Sequence, residues 1–461
     1  MDPGGEHVHL SRFLDRGYPT DAANIPQVSR GCRFLTQITP AVRGHEEGVG
    51  KMLAVDGGTP VRTTPFPKRA LFGAQERDAA VALFDQAMQT GDAIGYNGPE
   101  ETAYEHEFSE WHGGGMTDLV NSGTSALYVA FGGLELAPAG EVVVPPITDP
   151  GGVMPVALHN LVPVPADASP GTFNAGALQI AAVLTPHTRA ILVAHIAGEP
   201  ADMGPILDLA KEKNLPVVED CAQAHGARYH GRLVGTMGDV AAYSTMSGKH
   251  HATGPQGGVV FTTHEDLGWR CRRFSDRGKP FGLQGRTNVR AGLNLNGSDL
   301  AATVGRVQLR KLDSIIAGRR RVAAQIASGL APCEGLQLGH EHEGAESVYW
   351  FLRIHFDDPR FSCDKNEFAA ALAAEGIPVS ASYRHLPAEA EWFRDRKVFP
   401  PSDYPWGLPA YGGDREATFE CANAVAAVES HFTLPIHEQW TKDDGDDVIS
   451  ALIKVAGAFR I

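Results

Sequence analysis

The feature that most constrains the fold is an alternation, in the middle of the chain, between short apolar runs and longer segments of helical periodicity. Apolar strands that are separated by helices indicate a mostly parallel sheet with helices on both faces. In such a sheet ligands bind at the carboxyl ends of the strands, so we expect the chemistry in the loops that follow these runs. The strand-type runs occupy 118–120, 141–144, 162–165, 190–194, 216–219, 241–244 and 258–262, with helical patterns such as 125–136 and 205–213 between them.

Helical periodicity also predicts helices before and after this region of the chain. A helix is predicted at 74–90, and a second one holds Tyr104 and Phe108. A long helix is predicted at 299–330. We interpret the basic stretch 310–321 within it as a solvated helix face.

Beyond the long helix the pattern becomes that of a smaller α+β unit, with strands at 347–356 and 379–383 and helices at 364–375 and 442–456. A chain of 461 residues is also longer than one minimal core requires. The predicted fold is therefore α/β, with a mostly parallel central sheet flanked by helices and a smaller C-terminal α+β domain. The predicted bounds are 1–50 for an N-terminal extension that is partly disordered or docked on the surface, 51–325 for the large domain and 326–461 for the small domain.

Charge and cysteine usage exclude several classes of function. The formal net charge of −15 argues against nucleic acid as a partner, because phosphate binding needs a basic face. The apolar stretches are strand-sized, well below the roughly 20 residues that span a bilayer, so no membrane is expected. Six cysteines without a CxxC pair are typical of free thiols in a reducing compartment. The N-terminal MDPGGEHVHL lacks a leader pattern, so we expect a cytoplasmic location.

The turn NSGTSAL at 121–127 is the first candidate for ligand binding, since it follows a strand and opens a helical pattern. Gly123 lets the backbone approach a ligand closely. Thr124 and Ser125 begin a helix whose free N–H groups suit an anion such as a phosphate. An Asn or Ser N-cap without any ligand would explain the same residues.

Two further segments carry groups of opposite charge. Asp220 ends an apolar strand, where its carboxylate could pair with a protonated pyridine nitrogen, although an N-cap aspartate is the alternative. Lys249 lies among small residues between two strand-type runs, and partial burial would lower its pKa and give the neutral amine that attacks an aldehyde. Ser244, nearby, could donate a hydrogen bond to a phosphate. His250 and the adjacent histidine would point apart on a strand, so no metal is expected.

In this order the segments resemble the DegT/StrS family of pyridoxal-phosphate (PLP) dependent sugar aminotransferases, which belongs to the aspartate-aminotransferase superfamily. The resemblance runs from about residue 55 to the C-terminus and leaves only the N-terminal extension outside. The matching segments are DGGTPVR at 56–62, SGTSAL at 122–127, LTPHTRA at 184–190, PADM at 200–203, EDCAQAHGA at 219–227, QLRKLD at 308–313 and LPIH at 434–437.

The resemblance implies a PLP cofactor and a role for each matching position. Lys249 would carry PLP as an internal aldimine and, once released, would move the proton of the 1,3-shift. Asp220 would hold the pyridine nitrogen, and Gln223 would reach the phenolic oxygen of the cofactor. The phosphate would be held by Gly123, Thr124, Ser125 and Ser244. An asparagine of the partner subunit also reaches the phosphate in this family, and Asn294 stands at its place, which implies a homodimer with shared active sites.

The chain departs from the family pattern at three positions. Asp149 stands where an aromatic residue usually stacks on the pyridine ring, and a carboxylate cannot supply that contact. Asn296 replaces an arginine that could bind the carboxylate of the amino donor, and Gln256 replaces a glutamate. The candidate substrate contacts are Asp149, His250, His251, Tyr383 and His385.

Three functions are compatible with these residues. The first is transamination, in which glutamate or glutamine gives its amino group to a ketone on a sugar or cyclitol. The second is a PLP-dependent lyase or elimination reaction, suggested by Asp149 and Asn296. The third is a PLP-binding protein without catalysis. Lys249 favours the first over the related sugar dehydratases, which carry histidine at this place.

Overall fold

The computed structural model describes residues 52–284 and 287–461. The N-terminal extension predicted for residues 1–50 lies outside these residues. In the described part of the chain, no helix combines the length and the apolar character that crossing a membrane requires.

Helices and strands are numbered separately along the chain. The helices are α1 (Ala74–Thr90), α2 (Pro99–Trp111), α3 (Gly123–Leu134), α4 (Met154–Leu158), α5 (Ala177–Val183), α6 (Met203–Lys213), α7 (Glu265–Ser275), α8 (Asp299–Leu330), α9 (Lys365–Ala374), α10 (Glu391–Arg394), α11 (Ala422–Ser430) and α12 (Lys442–Phe459). The strands are β1 (Met116–Val120), β2 (Glu141–Val144), β3 (Val162–Pro165), β4 (Thr188–Ala194), β5 (Val217–Asp220), β6 (Arg228–Tyr229), β7 (Arg232–Leu233), β8 (Val240–Ser244), β9 (Gly258–Thr262), β10 (Leu336–Leu338), β11 (Ala345–Glu346), β12 (Leu352–Phe356) and β13 (His431–Leu434).

The centre of the fold is a seven-stranded sheet in the order β1-β9-β8-β5-β4-β2-β3. The five strands from β8 to β3 pair in parallel, whereas β9 is antiparallel to both of its neighbours. Every residue of β2, β5, β8 and β9 is buried, which explains why these strands are continuous apolar runs in the sequence. The predicted α/β fold with a mostly parallel central sheet is confirmed.

The two faces of the central sheet are covered by different helices, because successive strand residues point to opposite sides. On β8, Ala242 belongs to a core cluster with α3 and α7. The next residue, Tyr243, belongs to a cluster with α2 and α8. Helices therefore seal both faces and leave the carboxyl edge of the parallel strands as the open side of the sheet.

A smaller sheet of three strands follows in the order β10-β12-β13 and packs against α8, α9 and α12. The strand predicted at 347–356 is limited to β12 because the backbone N–H groups of Val348 and Trp350 donate to Gly198 and Ala197 instead. The bounds at residues 325 and 326 between the large and the small domain remain a prediction.

The strand predicted at 379–383 is wrong. Within that range only Ser380 pairs, in an isolated bridge with Thr433. The third strand of the small sheet is instead β13, which lies where the sequence had suggested no element. Residues 381–385 turn away from the small sheet, and the hydroxyl of Tyr383 accepts a hydrogen bond from Gln223 at 2.9 Å.

The long helix α8 has the predicted bounds and is capped by the Ser298 hydroxyl, which accepts from the N–H of Ala301. Its basic stretch is not uniformly solvated, and the interpretation is wrong for Arg319. That side chain is buried and donates to backbone carbonyls outside the helix.

Candidate active site

A cavity of about 280 Å³ lies at the carboxyl edge of the central sheet. Asp220 ends β5, Ser244 ends β8, and His195 directly follows β4, so three neighbouring strands deliver side chains to one place. This is the location that parallel sheets use for ligands. Among the residues expected from the sequence, the cavity is lined by Gly123, Thr124, Asp149, Asp220, Gln223, Ser244 and Lys249.

One end of the cavity is the N-terminus of α3, which provides free N–H groups and the positive end of the helix dipole. Gly123 and Thr124 line the cavity here. Ser125 does not, because its hydroxyl donates to Asn121 at 2.6 Å and its N–H donates to the Ser122 hydroxyl at 3.1 Å. The turn therefore suits an anion, but through fewer residues than the sequence suggested.

Gly123 is required by close packing between α3 and the end of β8. A Cβ atom added at Gly123 would lie 2.6 Å from Cβ of Ser244 and 3.0 Å from its hydroxyl oxygen. Both Gly123 and Ser244 line the anion end of the cavity. A larger residue at position 123 must therefore displace either the first turn of α3 or Ser244.

We expect Gly123→Ala to weaken PLP binding about tenfold, equivalent to roughly 1.4 kcal/mol. The added methyl group pushes the helix N-terminus away from Ser244. Titration of the cofactor-free protein with PLP measures the change. The matched control is Gly95→Ala, since a Cβ atom at Gly95 meets nothing within 4 Å. Unchanged affinity in Gly123→Ala would contradict this account of the anion end.

Asp220 supplies a buried carboxylate in the same cavity. One of its oxygens accepts from the N–H of Ala222 at 3.0 Å, and no donor among the described residues reaches the other. Burial raises the pKa of Asp220, whereas the N–H of Ala222 and the charge of Lys249 act to lower it. A carboxylate with one unused oxygen suits a cationic nitrogen of a ligand.

Lys249 is the buried amine that faces Asp220. Its Nζ lies 3.8 Å from the ring centroid of Trp350 and makes no hydrogen bond within the described ranges. Burial lowers the pKa of Lys249 to about 8, although the charges of Asp220 and Asp149 oppose this shift. A neutral, nucleophilic amine is therefore accessible close to neutral pH.

The lowered pKa makes capture of PLP dependent on pH. Only the neutral amine attacks an aldehyde, so the capture rate of the cofactor-free protein is expected to rise with pH and to level off above about 8. Asp149 and Asp220 are the charges that hold this pKa up, so Asp149→Asn should move the midpoint to lower pH. Stopped-flow absorbance measures the profile, and a midpoint at the ordinary lysine pKa would contradict the assignment.

Gln223 lines the cavity, whereas Tyr383 does not and is connected to it through Gln223. The Gln223 carbonyl oxygen accepts from the N–H of Ala197 at 2.8 Å, and its amide donates to the Tyr383 hydroxyl at 2.9 Å. One amide N–H of Gln223 remains for a ligand. The ring of His385 lies 4.6 Å from that of Tyr383, but it belongs to an adjoining cavity of about 250 Å³.

The structure does not bring His250, His251 or Asn294 into the cavity. Both histidines are fully buried. The first bonds the Val348 carbonyl at 3.0 Å, and the second bonds the Tyr104 hydroxyl at 2.6 Å. Burial holds their pKa values well below the ordinary range, so both rings are neutral. Asn294 is exposed, and its side chain accepts from Asn296 at 2.6 Å.

His195 lines the cavity but was not identified from the sequence. Its Nδ1 accepts from the N–H of Ala201 at 3.0 Å, so the proton is on Nε2, which lies 3.1 Å from Glu219. Glu219 also accepts three backbone N–H groups, which leaves it no free oxygen for a metal ion. His195 follows the run 190–194, and the strand-end rule that selected Asp220 could have found it.

The cavity has the features that PLP requires. It combines an anion site at a helix N-terminus, a carboxylate with a free oxygen for the pyridine nitrogen, and a lysine without a hydrogen-bond partner in the described residues. Because a lysine left unpartnered in a buried space is costly, a covalent ligand at its Nζ is a sufficient reason for its presence.

Comparisons with known proteins agree with this chemistry. Residues 74–453 match the family model described as the DegT/DnrJ/EryC1/StrS aminotransferase family. GDP-perosamine synthase of Caulobacter vibrioides is 30% identical over 76% of this chain and 89% of its own length. A putative L-glutamine:3-amino-2,3-dideoxy-scyllo-inosose aminotransferase of Streptomyces kanamyceticus is 28% identical over 89% of this chain and 99% of its own. The crystal structure of an aminotransferase from Psychrobacter cryohalolentis superposes with a TM-score of 0.75 at 26% identity, covering 86% of this chain and all of that one.

Proposed function

The chain belongs to the DegT/DnrJ/EryC1/StrS aminotransferase family, and from this premise we propose that it transfers the amino group of glutamate or glutamine to a ketone on a sugar or cyclitol. The protein is a PLP-dependent aminotransferase. The observation that carries the proposal is the shared cavity of Lys249 and Asp220 beside an anion site. A place in the synthesis of an amino sugar or aminocyclitol follows from the same proposal.

Each residue of the cavity has a distinct task in this proposal. Lys249 would be the point of attachment of the cofactor, and its amine, once free, would carry the proton that leaves Cα of the donor. Asp220 would hold a protonated pyridine nitrogen through its unused oxygen. When bound, PLP supplies the electron sink that lets the Cα–H bond of the donor break.

The remaining residues orient the substrates and the cofactor. Gly123 and Thr124 would hold the phosphate through the first turn of α3, together with the hydroxyl of Ser244 beside them. Gln223 has one amide N–H left for the phenolic oxygen. Net transfer converts the donor into a 2-oxo acid and the ketone into a primary amine, with no change in the cofactor after two half-reactions.

We also propose a homodimer in which Asn294 of the partner subunit completes the phosphate site. The exposure of Asn294 away from the cavity of its own chain supports this role. A cytoplasmic location accords with the same assignment and remains a prediction from the sequence.

Elimination by the same fold is the less favoured alternative. It rests on Asp149 and Asn296 alone, whereas Lys249 and Asp220, on which transamination depends, both line the cavity. Asp149 has a structural reason to be an aspartate, since its carboxylate accepts from the N–H of Gly151 at 2.9 Å and caps the turn Pro150–Gly152.

Absorbance spectroscopy of the PLP-loaded protein tests the proposal. Addition of glutamate or glutamine is expected to replace the long-wavelength band of the lysine-linked cofactor by a pyridoxamine phosphate band, with one 2-oxo acid released per site. A band that neither donor changes would overturn transamination with these donors. Conversion of an amino acid with a β-leaving group, such as serine, into pyruvate and ammonia without a pyridoxamine phosphate band would support elimination instead.

A further inference from the structure

Three charged residues outside the cavity connect the backbone at Lys249 with the backbone at Trp350, whose ring lies against the Lys249 amine. Arg69 precedes α1, Arg319 lies within α8, and Glu438 follows β13. One oxygen of Glu438 accepts from Nε of Arg69 at 2.9 Å, and the other accepts from Nε of Arg319 at 3.2 Å. We call this arrangement the Arg69–Glu438–Arg319 bridge.

One arm of the bridge holds the backbone of the lysine. Arg69 donates from Nη1 to the carbonyl of Lys249 at 2.6 Å and from Nη2 to the carbonyl of His250 at 3.2 Å. A guanidinium can serve these two carbonyls and Glu438 at once because it has five donors in one plane. The position of the lysine backbone therefore depends on the orientation of Arg69.

The other arm holds the aromatic ring that lies against the amine. Arg319 donates from Nη1 to the carbonyls of Tyr349 at 2.9 Å and Trp350 at 3.1 Å. Tyr349 has a φ of +49°, a left-handed conformation that a tyrosine keeps only when its surroundings hold it. The Trp350 ring then lies 3.8 Å from Lys249 Nζ, and its Nε1 donates to the Gly248 carbonyl at 3.0 Å.

The bridge is shielded from solvent. The side chains of Arg69, Glu438 and Arg319 are 16%, 6% and 3% exposed. Glu438 packs directly against α8 at Gly318, because a Cβ atom at that position would lie only 2.8 Å from Cβ of Glu438. Desolvation offsets much of the attraction in buried ion pairs, so stability alone is a weak reason for such an arrangement.

We propose that Glu438 is a positioning residue that holds Lys249 and Trp350 in one fixed relation through the two arginines. The inference rests on the proposed function, since it takes Lys249 as the point of cofactor attachment. Without Glu438 the two arginines lose their common acceptor and leave like charges together in a buried space. The two arms then separate, and the amine loses its fixed place against the indole ring.

The first test is Glu438→Gln in the full-length enzyme. We expect kcat to fall about 10- to 100-fold while KM for the amino donor changes little, because a misplaced reactive group slows chemistry more than binding. The cofactor-free variant should also capture PLP more slowly. The matched control is Glu334→Gln, since Glu334 also pairs with two arginines, Arg360 and Arg460, but is 63% exposed.

A double variant separates positioning from charge balance. Arg69→Met combined with Glu438→Gln leaves one unpaired arginine, the same net charge as the intact bridge. We expect its melting temperature to recover relative to Glu438→Gln, while kcat and the PLP capture rate stay low. Recovery of all three quantities would show a purely structural role and overturn the inference.

Arg69→Lys keeps the inference testable if Glu438→Gln does not fold. A lysine retains the ion pair with Glu438 but cannot also reach both backbone carbonyls. Slow PLP capture by this variant is expected, and wild-type capture and kcat would overturn the inference. Failure of the wild-type protein to form a lysine-linked band would overturn the proposed function instead.

Discussion

Replacing Lys249 with alanine is expected to lower the rate of amino transfer by at least about 10⁴-fold. The variant loses both the nitrogen that attaches the cofactor and the group that moves the proton. PLP should still bind through the helix N-terminus and Asp220, but without the long-wavelength band of a lysine-linked cofactor. Steady-state assays with glutamate and an absorbance spectrum of the PLP-loaded variant measure the two effects.

Lys213→Ala is the control for this experiment, because Lys213 ends α6 with a side chain that is 48% exposed. It is expected to retain wild-type activity. Added methylamine should restore part of the activity of Lys249→Ala by taking over the proton transfer. Substantial activity in Lys249→Ala without any added amine would show that another residue carries the chemistry.

Asp220→Asn should reduce kcat about 10²- to 10³-fold, the range expected when one charged partner of a developing charge is lost. The amide can still accept from the N–H of Ala222, so the local fold is retained. It cannot hold a protonated pyridine nitrogen by charge. Single-turnover kinetics with glutamate measure the loss in the first half-reaction.

The stability of this variant provides an independent readout. Burial raises the pKa of Asp220, which means that the cofactor-free fold disfavours the charged form. Asp220→Asn should therefore leave the melting temperature of the cofactor-free protein unchanged or higher. Asp208→Asn, on the exposed side of α6, serves as the control for the substitution itself. Loss of folding in Asp220→Asn would mean that the carboxylate has a structural role.

Local sequence patterns predicted the parts of the fold that depend on neighbouring residues. The bounds of α1 and α8 follow from uninterrupted helical periodicity. The buried strands follow from continuous apolar runs. Asp220 could be placed at a cavity because the end of a parallel strand faces the open edge of the sheet.

Contacts between distant segments could not be predicted in this way. Trp350 reaches Lys249 only because Tyr349 adopts a left-handed conformation, and no pattern in the sequence indicates that turn. The sequence pattern predicts a strand at Tyr383, yet its hydroxyl accepts a hydrogen bond from Gln223, which lines the cavity. In the basic stretch of α8, Arg319 is buried whereas other arginines are exposed. Its neighbours in the sequence do not indicate this, because the groups that it contacts belong to other elements.

The most direct test of the central claim is to locate the cofactor on the chain. The PLP-loaded protein is reduced with borohydride, which makes the link to a lysine permanent, and is then digested and analysed by peptide mass spectrometry. We expect one modified peptide, with the cofactor mass on Lys249. Modification of a different lysine, or of none in a protein that shows the long-wavelength band, would contradict the assignment of this cavity as the active site.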